Sequence, residues 1–188
     1  MRALLTMGLV ASLAVAAVVA QGPPNAAPAV PTVVKVGDMA PDFTLQGTDG
    51  KTHKLSEYKG KQAVVIAWFP KAFTQGCTIE CKSLAANGEK IKKYEVAYFM
   101  ASVDPLEGEQ GNLAFAKSEN ADFPLLSDPT KATATAYGVL NARGSANRWT
   151  FYIGKDGKIA AIEKKVNPPT SAEDMIAKLA ELKVPMKK

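Results

Sequence analysis

Residues 63–77 read AVVIAWF and then PKAFTQGC, from Ala63 through Phe69 to Pro70 and Cys77. The first part is apolar without interruption and rich in β-branched and aromatic side chains, the signature of a buried strand. Pro70 ends that strand, because it has no N–H to give to a sheet ladder. The loop that follows delivers Cys77 to the start of a helix. There the first backbone N–H groups lack intrahelical partners, and the macrodipole adds about half a positive charge. An anion is stabilised in such a place, and the thiolate is the nucleophilic form of cysteine.

Around this turn the residue types suit a reaction with a small electrophile. Thr74 offers a hydroxyl that can donate and accept a hydrogen bond, and Gly76 lets backbone amides approach whatever lies beside it. Glu80 follows Cys77 by one helical turn, a position from which a carboxylate can orient a nearby cation. Cys81 shares a stripe at helical spacing with Cys77, Leu84, Gly88 and Ile91. It reads either as a second reactive thiol or as a side chain packed on the sheet.

Outward from this unit, strands and helices alternate. Residues 95–102 (EVAYFMAS) form a second buried strand, followed by a loop at Asp104-Pro105 and a polar helix over about 108–118. A short strand is expected at 122–126, and a helix at 129–137 with Pro129 in its first turn. Residues 148–153 and 158–162 form a hairpin around Lys155-Asp156-Gly157, and Ser171-Ala172-Glu173-Asp174 opens the last helix. Upstream, Asp49-Gly50 marks an N-terminal hairpin. His53, the only histidine, lies on its returning arm and reads as a solvated strand residue. Trp68 reads as core, whereas Phe73 and Trp149 are left open between pocket, core and surface.

Residues 3–20 carry no charge and follow Met1-Arg2, a secretory signal pattern with cleavage after Ala20. The chain is therefore expected to be exported, to the periplasm or beyond, with membrane anchorage only if the segment stays uncleaved. Residues 21–35, rich in Pro and Ala, read as a tether, and 36–188 as the folded domain. A structural disulfide across so short a cysteine spacing would remove little unfolded-state entropy. The charge of +5 arises from 23 Lys and Arg against 18 Asp and Glu. The lysines are scattered with no basic–aromatic block, so nucleic acid is not an expected partner.

The spacing Pro70-x3-Thr74-x2-Cys77, with Glu80 beyond, resembles the active-site motif of the peroxiredoxins. The likeness runs from about Val36 to Lys183. Gly37-Asp38-Met39-Ala40-Pro41-Asp42-Phe43 resembles the family's opening, Trp68-Phe69-Pro70 its approach to the nucleophile, Ser127-Asp128 a later loop and Arg148 its active-site arginine. The cysteine pair resembles most the peroxiredoxin Q, or bacterioferritin comigratory protein, branch. That branch sets its second cysteine five residues after the first, whereas here the spacing is four.

The resemblance implies a thioredoxin-like α/β fold with a central mixed sheet flanked by helices. It also implies a peroxidase without a cofactor, in which Cys77 attacks peroxide. Arg148, the Thr74 hydroxyl and helix-start amides would act as donors, and Pro70 would shield the sulfur. Cys81 is then the candidate to resolve the sulfenic acid, with a thioredoxin-like dithiol as reductant and, by analogy, a monomeric enzyme. A disulfide wants its Cβ atoms about 3.8 Å apart, whereas four residues of helix rise about 6 Å, so the segment 74–84 is expected to unwind or bend on oxidation. The cysteine spacing also resembles the Sco-type copper proteins, but no histidine follows Cys81 as a third ligand. Thiol–disulfide exchange proteins of the extracytoplasmic thioredoxin kind separate their cysteines by two residues, a pattern absent here.

Overall fold

The computed structural model describes residues 34–188. The expected signal segment 1–20, and all but the last two residues of the Pro/Ala-rich stretch 21–35, lie outside the described residues. The AVVIAWF run becomes β3 (Ala63–Trp68), buried along its whole length, and EVAYFMAS becomes β4 (Val96–Ser102). Around them lie β1 (Thr44–Gly47), β2 (Thr52–Lys54), β5 (Leu125–Ser127), β6 (Thr150–Ile153) and β7 (Ile159–Glu163). The sheet order is β2-β1-β5-β4-β3-β6-β7. The three central strands β5, β4 and β3 are parallel, and the outer pairings are antiparallel. This is the mixed sheet of a thioredoxin-like fold, with the N-terminal hairpin on one edge.

Alternation along β3 divides the interior in two. Ala63, Val65 and Ala67, with Phe69 just beyond the strand, face one core with Cys77, Cys81, Leu84, Phe115, Met175 and Leu179. Val64, Ile66 and Trp68 face the other with Phe99, Leu126, Tyr137 and Phe151. The first core packs α1 (Gln75–Ala86), α2 (Gly88–Ile91), α3 (Asn112–Ser118) and α5 (Ser171–Glu181) on the sheet, whereas α4 (Ala132–Ala136) lies on the other face. Leu84 is fully buried, so Leu84→Ala would cost about 2–5 kcal/mol.

Several local readings change. The helix expected over 108–118 begins only at Asn112, because Gly108 takes a left-handed φ of 94° in a preceding turn. The helix expected over 129–137 shrinks to Ala132–Ala136, since Lys131 at its N-cap is itself left-handed at φ 62°. Pro129 therefore belongs to the turn before it. The short strand moves from 122–126 to Leu125–Ser127. His53 is buried rather than solvated. Its Nδ1 meets Tyr58 Oη at 2.7 Å, its Nε2 meets Asp49 Oδ1 at 3.0 Å, and its ring lies 4.9 Å from Phe99. A hairpin side chain with partners for both ring nitrogens gains more by closing over the sheet than by staying in water. Trp68 is core, as read, and Trp149 packs at the margin of the second core under Lys164.

Candidate active site

The parallel strands β3 and β4 end on the same side of the sheet, and open α/β sheets bind ligands beyond the carboxyl ends of such strands. Pro70 follows β3 at this end, and the chain crosses a short loop to Thr74, the N-cap of α1. Cys77 is the third residue of the helix, within its first turn. Trp68 N–H donates to Trp149 O at 2.8 Å, and β6 runs antiparallel beside β3. That pairing carries Arg148 to the same end, although it lies 71 residues from Cys77 in sequence. Arg148 falls just ahead of β6 rather than within a strand as expected, which leaves its side chain free to reach over the helix.

The guanidinium bridges two groups of α1. Its Nη2 donates to Cys77 Sγ at 3.2 Å, and its Nη1 pairs with Glu80 Oε2. Gly76 eases this approach, because a Cβ there would stand 3.0 Å from Nη2 and the guanidinium would have to give way by a few tenths of an ångström. The glycine thus admits the arginine, beyond the reading that it frees backbone amides. Glu80 is fully buried and its Oε1 has no partner among the described residues. Burial pushes its pKa up to about 7, with Arg148 pulling the other way. For Arg148, burial alone would lower the pKa, but Glu80 and Cys77 outweigh it, so the cation is held firmly charged.

Thr74 behaves differently from the expected donor. Its hydroxyl gives its hydrogen to Lys71 O at 2.8 Å, which leaves it an acceptor toward any further partner. Phe73 beside it takes a left-handed φ of 61° and leans edge-on against Phe115, with its ring partly exposed.

Cys81 points into the first core and is as buried as Cys77. Both cysteines are free thiols on one continuous helix. Burial pushes the Cys81 thiol up to about 12, with Glu119, Glu80, Cys77 and Asp122 adding to the shift. The structure therefore gathers Cys77, Thr74, Glu80 and Arg148 with Pro70 at one end of the sheet, and sets Cys81 one turn further along α1, in the first core.

Two features escaped the sequence. Glu119 ends α3 and bears on Cys81. Asp104, read only as part of a loop, is buried and bonds to Lys71 and Ala72 ahead of Cys77. A serine closing an otherwise apolar strand, Ser102, with an aspartate two residues beyond it, Asp104, was the available signal for the latter.

A copper site finds no support. Among the described residues no group of three or more His, Cys, Asp or Glu side chains is placed to hold a metal. His53 packs on Phe99, which belongs to the core on the other face from the cysteines. A guanidinium already stands at the Cys77 sulfur, where a metal cation would be repelled.

Residues 36–162 match the AhpC/TSA family. Peroxiredoxin Bcp of Escherichia coli K12 is 34% identical over 133 residues, 67% of this chain and 83% of that protein. Alkyl hydroperoxide reductase E of Mycobacterium bovis is 35% identical over 136 residues, 71% of this chain and 87% of that protein. Among solved structures, peroxidoxin BcpB of Mycobacterium tuberculosis superposes with a TM-score of 0.69 at 28% identity, covering 78% of this chain and 97% of that one. PrxQ of Xylella fastidiosa shares the fold, with a TM-score of 0.71 at 21% identity over 80% of this chain and 98% of that one.

Proposed function

The chain belongs to the AhpC/TSA family and is a thiol-dependent peroxidase, and from that premise we propose that Cys77 is the thiol that meets the peroxide. The observation that carries this is the Arg148 guanidinium, which donates to Cys77 Sγ at 3.2 Å while Glu80 holds its other nitrogen. The sulfur attacks one oxygen of the peroxide, an S–O bond forms and the O–O bond breaks. Negative charge moves from sulfur to the departing oxygen, which takes a proton and leaves as water or an alcohol. Arg148 and the open amides at the start of α1 stabilise that moving charge, and the Thr74 hydroxyl accepts the hydrogen bond of the incoming peroxide. Pro70, at the end of β3, keeps bulk water from the sulfur.

Cys77 is left as a sulfenic acid, one step up the thiol oxidation ladder. In this reading the Cys81 thiol displaces its hydroxyl, so that a disulfide forms and water leaves. The segment 74–84 bends to allow it, because an intact helix turn holds the two residues too far apart. A thioredoxin-like dithiol then reduces the bond. The charge-free run at residues 3–20 supports placing this chemistry outside the cytoplasm.

The test is thiol loss in the reduced protein mixed with hydrogen peroxide. Cys77→Ser is expected to consume none. Cys81→Ala is expected to oxidise once and remain a sulfenic acid that dimedone traps. Alanine is chosen over serine because a hydroxyl left unpaired in this apolar pocket would cost about 1–3 kcal/mol. Wild-type consumption by Cys77→Ser would end the proposal.

A further inference from the structure

We propose that Asp104 is a positioning residue for the peroxide step, which aims the Thr74 hydroxyl through a single peptide group; this rests on the peroxidase reading above. Asp104 lies two residues beyond the end of β4 and is 3% exposed. Its Oδ2 accepts the Ala72 N–H at 2.8 Å and the Ser102 hydroxyl at 3.1 Å, and its Oδ1 accepts Lys71 Nζ at 2.5 Å. The carboxylate is itself held in place. Ser102 Oγ accepts the Asp104 N–H at 3.1 Å and lies 3.1 Å from Asn112 Nδ2, which also donates to Ser127 Oγ at 2.9 Å. Residues of β4, β5 and α3 thereby fix one oxygen pair at the site end of the sheet.

The Ala72 N–H and the Lys71 C=O belong to the same peptide unit. That unit is planar, and its N–H and C=O point in opposite directions. Asp104 holds the N–H, and the C=O accepts the Thr74 hydroxyl at 2.8 Å. Fixing one end of the plane therefore fixes the other, and with it the direction in which Thr74 spends its hydrogen and turns its lone pairs. Hydrogen bonds in such a chain also polarise one another. Phe73, between the clamped peptide and Thr74, has a left-handed φ of 61° that a bulky residue seldom adopts. A loop in that conformation needs an outside hold, and the buried carboxylate provides it.

The experiment compares two electrophiles on the reduced protein. Hydrogen peroxide needs Thr74 as an acceptor, whereas iodoacetamide needs only the Cys77 thiolate. Second-order rates at Cys77 are read by mass spectrometry for wild type, Asp104→Asn, Asp104→Ala, Thr74→Val and the Asp104→Ala/Thr74→Val pair. Asp104→Ala and Thr74→Val are expected to slow peroxide on the order of 10²-fold, the effect of a small misplacement at a reacting centre. The isosteric Asp104→Asn replaces a charge-assisted acceptor by a neutral one and should recover much of the rate, leaving a loss of about tenfold. Iodoacetamide rates should stay within about twofold throughout, and the paired variant should be no slower than the slower single one, as for residues acting as a unit. Equal losses with both electrophiles, or additive losses in the pair, would overturn the proposal. If Asp104→Ala does not fold by circular dichroism, the selectivity of Asp104→Asn decides alone. A wild-type protein that consumes no peroxide would instead sink the peroxidase reading.

Discussion

Cys77 and Cys81 lie one turn apart on α1, and neither has exposed surface. Residue type, helix and depth are the same, yet the surroundings are opposite in charge. Cys77 occupies the first turn of the helix, with free amides nearby and the Arg148 guanidinium on its sulfur. Cys81 has moved past the amides into the first core, where Glu119, Glu80 and Asp122 all bear on it. Burial alone therefore does not decide whether a thiol reacts. What decides is whether the buried group meets donors for its anion or only hydrocarbon and carboxylates.

The largest expected difference between the two thiols is in their alkylation. Burial pushes the Cys81 thiol up to about 12, so at pH 7 it stays in its un-ionised, non-nucleophilic form. Iodoacetamide should carbamidomethylate Cys77 in the native protein and leave Cys81 unmodified, while both react in denaturant. Mass spectrometry of the two sites gives the ratio directly, and equal native labelling would erase the difference.

A smaller effect tests the cation that makes Cys77 distinct. Removing an electrostatic donor aimed at a reacting centre typically costs about 10²–10³-fold in rate. Arg148→Met should slow Cys77 oxidation by that order in stopped-flow measurements. Arg148→Lys should restore only part of it, because an ammonium cannot fork between Sγ and the Glu80 carboxylate as the guanidinium does. Full recovery in the lysine variant would show that charge alone, without the bridge, sets Cys77 apart.

The two thiols were not equally legible in the sequence. The apolar run 63–69, the proline after it and the thiol at a helix start are local patterns, and each appears as β3, its end and α1. Arg148 was found only because Arg-Trp-Thr-Phe-Tyr-Ile resembles a known family, since no local periodicity links it to Cys77. Antiparallel pairing of β3 with β6 makes that link. The environment of Cys81 was illegible because Glu119 is brought to it by packing of α3 on the sheet. Asp104 escaped for a similar reason: the peptide it clamps is local to the cysteine loop, but the clamp comes from the loop just beyond the neighbouring strand β4. The overlong helices at 108–118 and 129–137 missed left-handed residues, Gly108 and Lys131, whose backbone the helical pattern did not anticipate.

Glu80 is the one carboxylate that acts on both thiols, through Arg148 on Cys77 and directly on Cys81, and it gives the mildest test. Its folded pKa is raised from 4.5 to about 7, first by burial and against the pull of Arg148. A carboxyl raised in this way binds its proton more tightly in the folded chain than in the unfolded one. Its contribution to stability is therefore complete below about pH 4.5 and is lost as the pH rises through about 7, beyond which the curve flattens. If the whole shift is expressed, the loss is at most ~3 kcal/mol. Urea midpoints for wild type and Glu80→Gln at about pH 4.5 and pH 8 isolate it, because glutamine has no proton to lose. Wild type should lose more stability across that interval than the variant. Parallel profiles would mean that Arg148 holds Glu80 ionised throughout, and the acid-facing side of Cys81 would then carry a full charge at every pH at which the enzyme folds.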